Sequence, residues 1–163
     1  MKAAIAIRPA TPADAPLILT FIRELAAYEK LAHEVVADEA AIAETLFGAK
    51  PCAEVVIAEI ATEPVGFALF FTNYSTFLGR PGIYLEDLFV RPEARGHGAG
   101  RALLGHLAKL AVARNCGRLE WAVLDWNEPA IGFYEKLGAT PRSAWTTYRL
   151  TGDALRALAR SAG

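Results

Sequence analysis

Two adjacent carboxylates, Glu86 and Asp87, lie inside an apolar stretch that has the composition of a β-strand. A carboxylate placed this way can hold an ammonium group or accept a proton from it. Successive side chains of a regular strand point to opposite faces, so only one of the two is expected to face a ligand unless a bulge interrupts the strand. The pair also fits a structural role, in which it binds a neighbouring loop or an arginine.

Three glycines in alternate positions, Gly96, Gly98 and Gly100, follow this stretch and precede a helical pattern. Bare backbone N–H groups and a helix dipole at such a turn can bind phosphate, and Arg95 and Arg101 flank it with positive charge. The loop lacks the Gly-Lys-Ser/Thr ending of a Walker loop and the third glycine of a dinucleotide fingerprint. The pattern that it does contain is Arg-x-x-Gly-x-Gly.

The elements that must position these residues follow from hydrophobic periodicity and turn residues. The predicted strands cover residues 4–8, 54–61, 65–74, 83–90, 118–124 and 144–150. The predicted helices cover residues 11–28, 38–47, 100–115, 127–137 and 153–160. The order β-α-α-β-β-β-α-β-α-β predicts one α/β domain over residues 1–163, with helices on the faces of a mixed sheet.

Composition narrows the class of protein. The 163 residues are 53% hydrophobic with a net charge of -1, which indicates a globular chain and gives no basic surplus for nucleic acid. Cys52 and Cys116 form no paired motif and are expected to be reduced thiols. The apolar runs at the N-terminus and at 65–71 are too short for a signal peptide or a membrane span. We therefore expect a soluble cytoplasmic protein, and the histidines show no metal-ligand spacing.

Several segments, in order along nearly the whole chain, resemble one enzyme family. They are Ile7-Arg-Pro-Ala-Thr11, Glu24-Leu-Ala-Ala-Tyr-Glu29, Gly66-Phe-Ala-Leu69, Tyr84-Leu-Glu-Asp-Leu-Phe-Val90 and Trp126-Asn-Glu-Pro-Ala-Ile-Gly-Phe-Tyr134. Together with the glycine loop they resemble the spermidine/spermine (diamine) N-acetyltransferase branch of the GCN5-related N-acetyltransferases. The resemblance implies a twisted, mostly antiparallel sheet whose central strands splay apart, with acetyl-CoA entering the gap from one side and an amine from the other.

The resemblance also implies the site residues. Those expected to bind acetyl-CoA are Leu88, Phe89, Val90, Arg95, Gly96, His97, Gly98, Ala99, Gly100, Arg101, Asn127, Glu128, Pro129, Ala130 and Tyr134. Those expected to bind the amine are Tyr28, Glu29, Glu86 and Asp87. Glu86 is the expected substrate contact or proton relay, with Asp87 secondary. A backbone N–H near Leu88 is the expected oxyanion donor. Tyr134, which stays protonated at neutral pH, is the expected acid for the leaving thiolate.

The acceptor stays open between a diamine or polyamine and a lysine-like amino acid such as thialysine. After Glu29 the chain reads Lys30-Leu-Ala-His-Glu34, and Ser143-Ala144 precede Trp145, so the expected pocket is less acidic than in polyamine-acetylating relatives. Direct attack in a ternary complex is expected over an acetyl-cysteine route. The alternatives are a protein lysine or N-terminal acetyltransferase and a non-catalytic acyl-CoA-binding regulatory domain. The resemblance further implies a homodimer.

Overall fold

The computed structural model describes residues 4–163. The strands are β1 (Ile5–Pro9), β2 (Glu54–Ile60), β3 (Glu63–Ser75), β4 (Arg80–Val90) and β5 (Leu119–Trp121). The helices are α1 (Ala15–Tyr28), α2 (Glu39–Phe47), α3 (Ala99–Ala113), α4 (Glu128–Lys136) and α5 (Gly152–Ser161). Short 3-10 turns cover Pro12–Asp14, Ala32–Glu34 and Pro92–Ala94.

The chain divides into two compact units, Met1–Leu124 and Asp125–Gly163. The single domain over residues 1–163 stays a prediction. The first unit contains a five-stranded sheet in the order β1-β2-β3-β4-β5. Neighbouring strands from β1 to β4 are antiparallel, and β4 pairs with β5 in parallel. The predicted mixed, mostly antiparallel sheet flanked by helices is therefore confirmed.

Each face of the sheet has its own apolar core. On one face α1 and α2 pack with alternate residues of β2 and β3, where the ring of Phe21 stacks on Phe67 at 5.4 Å and lies 6.2 Å from Phe89. On the other face α3 packs across β1 to β4 and buries Leu103 and Leu107 completely. Since strand side chains alternate, this double burial fixes which residues of β3 and β4 face α1.

Local sequence signals mark several boundaries correctly. The side chain of Asp38 accepts a hydrogen bond from the Ala41 N–H and begins α2, which ends at Gly48. The strands predicted over 54–61 and 65–74 are confirmed as β2 and β3, which pair as an antiparallel hairpin. The second unit begins α4 with an Asn127 cap, and Gly138 follows the helix with φ +89°.

Two predictions about the elements are wrong. Residues 144–150 form no strand, and every residue from 140 to 163 is exposed, so neither the pairing nor the burial that stabilises a strand is present there. The strands predicted over 65–74 and 83–90 also have wrong bounds, because β3 continues to Ser75, β4 begins at Arg80, and the two form one long hairpin. None of the described helices has the length and apolar run that crossing a membrane would need.

Candidate active site

A bulge in β4 brings Glu86 and Asp87 onto the same face of the sheet. Leu85 pairs with Phe70 and Asp87 pairs with Leu69, so Glu86 is an extra residue that pairs with no residue of β3. Glu86 follows Tyr84 by two positions, and Tyr84 pairs with Phe71 on the α1 side. Asp87 pairs with Leu69, which packs against the α1 core on that same side. The exception to strand alternation, a bulge, therefore applies here, and both carboxylates face the same side.

Glu29, the residue after α1, belongs to the same group of carboxylates. Burial, followed by the negative charges of Glu86 and Glu29, raises the pKa of Asp87 to about 6. Burial also raises the pKa of Glu29. None of the ion pairs within residues 4–163 involves these three side chains. We call Glu29, Glu86 and Asp87 the acidic cluster; it is suited to an ammonium group that comes from outside the chain.

A pair of side chains far apart in sequence holds the end of α1 against the end of β4. The guanidinium of Arg91 donates two hydrogen bonds to the Glu24 carboxylate, at 3.0 and 3.1 Å, and lies 4.9 Å from the ring centre of Phe21. This bidentate contact fixes the last turn of α1, from which Tyr28 and Glu29 project. Sequence reasoning placed Glu24 in a family motif and gave Arg91 no role, because nothing local links two residues 67 positions apart.

Beyond the bulge, one edge of β4 is open. Leu88, Phe89 and Val90 pair with β3 on one side, whereas the described part of β5 pairs only with Ile83 to Leu85. Apart from the Val90 carbonyl, which accepts a hydrogen bond from Arg95, the backbone groups on the other side of these three residues are available to a ligand that adds itself as a strand. The resemblance implied a sheet whose central strands splay apart, and β4 and β5 have this arrangement because they pair only as far as Leu85.

The glycine loop leads from that edge into α3. Gly96 has φ +77° and Gly98 φ +96°, both in the left-handed region that favours glycine, and Gly98 is the residue before the helix begins. The loop is exposed, and the first N–H groups of a 15-residue helix lie at its end. A Cβ at Gly96 would have no atom within 4 Å and one at Gly98 would meet only Ile5 Cδ1 at 3.7 Å, so this exposed loop has room for a pyrophosphate at the start of the helix.

Arg95 makes two contacts within the protein. Its Nε donates to the Val90 carbonyl at 2.8 Å, and its guanidinium lies 4.6 Å from the centre of the Tyr28 ring. It therefore connects the start of the loop to the end of α1. Nδ1 of His97 lies 3.3 Å from the Ala94 carbonyl, and the side chain of Arg101 is exposed at the start of α3.

The remaining predicted residues belong to the second unit. The buried Asn127 caps α4 by accepting a 3.4 Å hydrogen bond from the Ala130 N–H, and Glu128 and Pro129 complete the first turn. Tyr134 lies two turns into α4, half-buried, with its ring 5.6 Å from that of Phe133. Its role as acid stays a prediction.

Comparison with known proteins identifies the family. Residues 20–139 match the model described as the acetyltransferase (GNAT) family. The chain is 41% identical to thialysine N-epsilon-acetyltransferase of Bos taurus, over 95% of this chain and 97% of that one. It is 37% identical to an L-ornithine N5-acetyltransferase of Arabidopsis thaliana, over 93% of this chain and 86% of that one. An integron cassette protein from the mobile metagenome of V. cholerae superposes with a TM-score of 0.80 at 30% identity, over 98% of this chain and 99% of that one. The chain therefore belongs to the acetyltransferase (GNAT) family, in its spermidine/spermine-like branch, and is an acetyl-CoA-dependent N-acetyltransferase.

Proposed function

We propose that this enzyme acetylates the side-chain amine of a small primary amine, of the lysine or ornithine type, by direct attack in a ternary complex. The observation that carries the proposal is the bulge, which gathers Glu86 and Asp87 beside Glu29, and none of the ion pairs among residues 4–163 involves these carboxylates. The relatives whose names include thialysine and L-ornithine support an amino acid as the acceptor. Diamines and polyamines share the required ammonium group and are the other members of this substrate class.

The co-substrate would lie along the open edge of β4. The backbone of Leu88, Phe89 and Val90 would pair with its pantetheine amides, and the loop from Gly96 to Arg101 would hold its pyrophosphate. Asn127, Glu128, Pro129 and Ala130 are proposed to line the arm. Acetyl-CoA supplies the activated acetyl group as a thioester.

The acidic cluster would prepare the amine. An amine like that of lysine has a pKa near ~10.4, so about one molecule in 10³ is neutral at pH 7. Glu86 is proposed to contact the ammonium group, and Asp87, whose pKa lies near 6, to take its proton directly or through water. The amine nitrogen then bonds to the acetyl carbon while the carbon–sulfur bond breaks. A backbone N–H near Leu88 would stabilise the charge that develops on the carbonyl oxygen.

Tyr134 is the proposed donor of a proton to the departing thiolate. Replacing it by phenylalanine retains the ring beside Phe133 and removes only the hydroxyl, so the helix is expected to remain intact. We expect kcat to fall by about 10²-fold, the usual scale for loss of a general acid, with the dissociation constant of acetyl-CoA changed little. Phe133→Leu, which leaves the hydroxyl in place, is the control. Unchanged turnover of Tyr134→Phe would remove this assignment.

A thiol-release assay tests the function. The enzyme is incubated with acetyl-CoA and with L-ornithine, L-lysine, thialysine, diamines, spermidine, or lysine-containing peptides, and free coenzyme A is measured. We expect release with the small amines. Release with peptides alone would favour a protein acetyltransferase, and binding of acetyl-CoA without release for any amine would favour a regulatory acyl-CoA-binding domain.

A homodimer is proposed on the same resemblance. The residues from 140 to 163 are all exposed and include the large apolar side chains of Trp145, Tyr148, Leu155 and Leu158. A second copy could cover them, and light scattering at several protein concentrations measures the mass. A cytoplasmic location is the matching proposal, which cell fractionation tests.

A further inference from the structure

A second polar group lies on the same face of the sheet as the acidic cluster. Glu120 of β5 pairs in register with Tyr84 of β4, and Arg118 precedes Glu120 by two positions, so both side chains project from the face that carries Tyr84. Nε of Arg118 lies 2.8 Å from Oε1 of Glu120. The two side chains are 41% and 34% exposed, so a ligand can reach them. We call Arg118 and Glu120 the dipolar pair.

Asn73 holds the carboxylate of this pair in place. Its Nδ2 donates to Oε1 of Glu120 at 3.4 Å, while its Oδ1 is buried without a hydrogen-bond partner. The amide fits only because residue 82 is glycine, since a Cβ there would lie 2.5 Å from Asn73 Oδ1. A buried carbonyl oxygen without a partner costs stability. The arrangement is therefore better explained by the orientation of Glu120 than by the stability of the sheet.

The ring of Tyr84 lies next to both the dipolar pair and the acidic cluster. Glu120 is the partner of Tyr84 on β5, and Glu86 follows Tyr84 by two positions on β4, whereas Phe71, whose ring lies 5.3 Å away, is the partner of Tyr84 on β3. The negative charges of both Glu86 and Glu120 contribute, after burial, to the raised pKa of Tyr84, so both carboxylates are near this ring. The backbone positions of Glu86 and Glu120 are two residues and one strand apart, roughly 8 Å from the dimensions of a sheet.

We propose that the dipolar pair binds the α-ammonium and α-carboxylate of an amino-acid acceptor whose side-chain amine lies at the acidic cluster. Glu120 receives the α-ammonium group. Arg118 binds the α-carboxylate through its terminal nitrogens, which donate no hydrogen bond to any described residue. The methylene groups lie over the ring of Tyr84. With bond lengths near ~1.5 Å, an ornithine or lysine side chain spans about 5 to 6 Å between its terminal nitrogen and Cα, which matches the separation once the reach of the carboxylates is included.

This inference rests on the proposed function and makes it more specific, because a diamine or polyamine has no carboxylate for Arg118. It also distinguishes the two residues by ligand. Arg118 should matter only for acceptors that carry the carboxylate, and Glu120 for every acceptor that carries a second ammonium group.

The test measures kcat/KM for three matched acceptors: L-ornithine, 1,4-diaminobutane and Nα-acetyl-L-ornithine, with the corresponding lysine series in parallel. We expect Arg118→Gln to lower kcat/KM for L-ornithine by about 10- to 100-fold, the usual scale for one charged hydrogen-bonding contact, with 1,4-diaminobutane changed less than about twofold. Glu120→Gln should lower the value for L-ornithine and for 1,4-diaminobutane and spare Nα-acetyl-L-ornithine. Equal losses for the amino acid and the diamine in Arg118→Gln would overturn the proposal.

Arg114→Gln is the matched control. Arg114 forms a comparable exposed ion pair, 2.7 Å from Glu54, at the end of α3, so its loss reproduces the structural effect of breaking such a pair. We expect this variant to retain the wild-type preference among acceptors and a similar melting temperature to Arg118→Gln.

Calorimetric binding of L-ornithine and L-lysine to the wild type and to Arg118→Gln separates this inference from the proposed function. One outcome is that the wild type releases no coenzyme A and yet binds either amino acid, while Arg118→Gln binds neither. In that case the proposed function fails, and the binding role of the dipolar pair is supported. If the wild type binds neither amino acid, or acetylates only diamines, the dipolar pair does not bind the α-ammonium and α-carboxylate groups of the acceptor.

Discussion

Two groups of carboxylates in the first unit have opposite electrostatic surroundings. Asp14 and Glu59 both contact Arg8, at 2.8 and 2.7 Å. The hydrogen bond from Arg8 lowers the pKa of Asp14 from its ordinary 3.8 to about 2. Asp87, in the acidic cluster, has a pKa raised to about 6 by burial and by two neighbouring negative charges. Residues of one chemical type thus differ in pKa by about four units within one small fold.

The difference indicates which group is structural and which is functional. The carboxylates around Arg8 are neutralised within the chain and join β1, β2 and the turn before α1. The close negative charges of the acidic cluster lower the stability of the folded protein, and a positively charged ligand offsets that loss. Substitutions in each of the two groups test this contrast.

The largest effect is expected from Asp87→Asn. We expect kcat/KM for the small amine to fall by about 10² or more, because the proton acceptor is lost. The same variant should gain stability at pH 7, on the order of 2 kcal/mol. The pKa of Asp87 in the folded wild type is about 6, above the ordinary value of 3.8, so the ionised carboxylate that the variant lacks destabilises the fold at this pH. Denaturant unfolding at pH 7 and steady-state kinetics measure the two effects. A variant that is less stable than the wild type and fully active would reverse our assignment.

Asp14→Asn makes the same chemical change in the neutralised group and should have the opposite outcome. We expect a loss of roughly 1 to 2 kcal/mol of unfolding free energy at pH 7, with kcat/KM unchanged within about twofold. Because the folded-state pKa is lowered, this contribution is present above about pH 4 and disappears as the pH falls through about 2. Unfolding curves at pH 7 and pH 3 check the sign, and a large loss of activity would contradict the contrast.

The pH dependence of kcat/KM should show the raised pKa directly. Asp87 must be deprotonated to accept a proton, so activity should fall about tenfold per pH unit below about pH 6. This fall in activity at low pH is the acid limb of the pH profile. In Asp87→Asn the residual activity should show no acid limb. A limb near pH 4 in the wild type would mean that a carboxylate of ordinary pKa carries the proton.

The smallest effect is expected from Glu29→Gln. Removing one of the negative charges that raise the pKa of Asp87 should move the acid limb to lower pH by a fraction of a pH unit. Weaker binding of the amine should accompany the shift, since one of three carboxylates is lost. Glu34→Gln, an exposed change a few residues away, is the control and should leave the limb in place. A limb that moves to higher pH in Glu29→Gln would contradict this part of the contrast.

Much of the local structure was predictable because it depends on neighbouring residues. The cap at Asp38, the hairpin of β2 and β3 and the turn after α4 each follow from a few adjacent side chains. The predicted strand over 144–150 failed for the same reason. Alternating apolar residues give a segment the composition of a strand, but a strand also needs a partner, which the sequence does not supply.

The sequence by itself determined the family, the glycines at the start of α3 and the presence of two carboxylates beside each other. Only the tertiary structure decided that Glu86 and Asp87 share a face, because the register of β4 depends on packing against α1 and α3 on both faces of the sheet. It also decided that Glu29 joins them across 58 positions, since the contact of Glu24 with Arg91 fixes the end of α1. Contacts between residues so far apart in sequence depend on the folded chain as a whole.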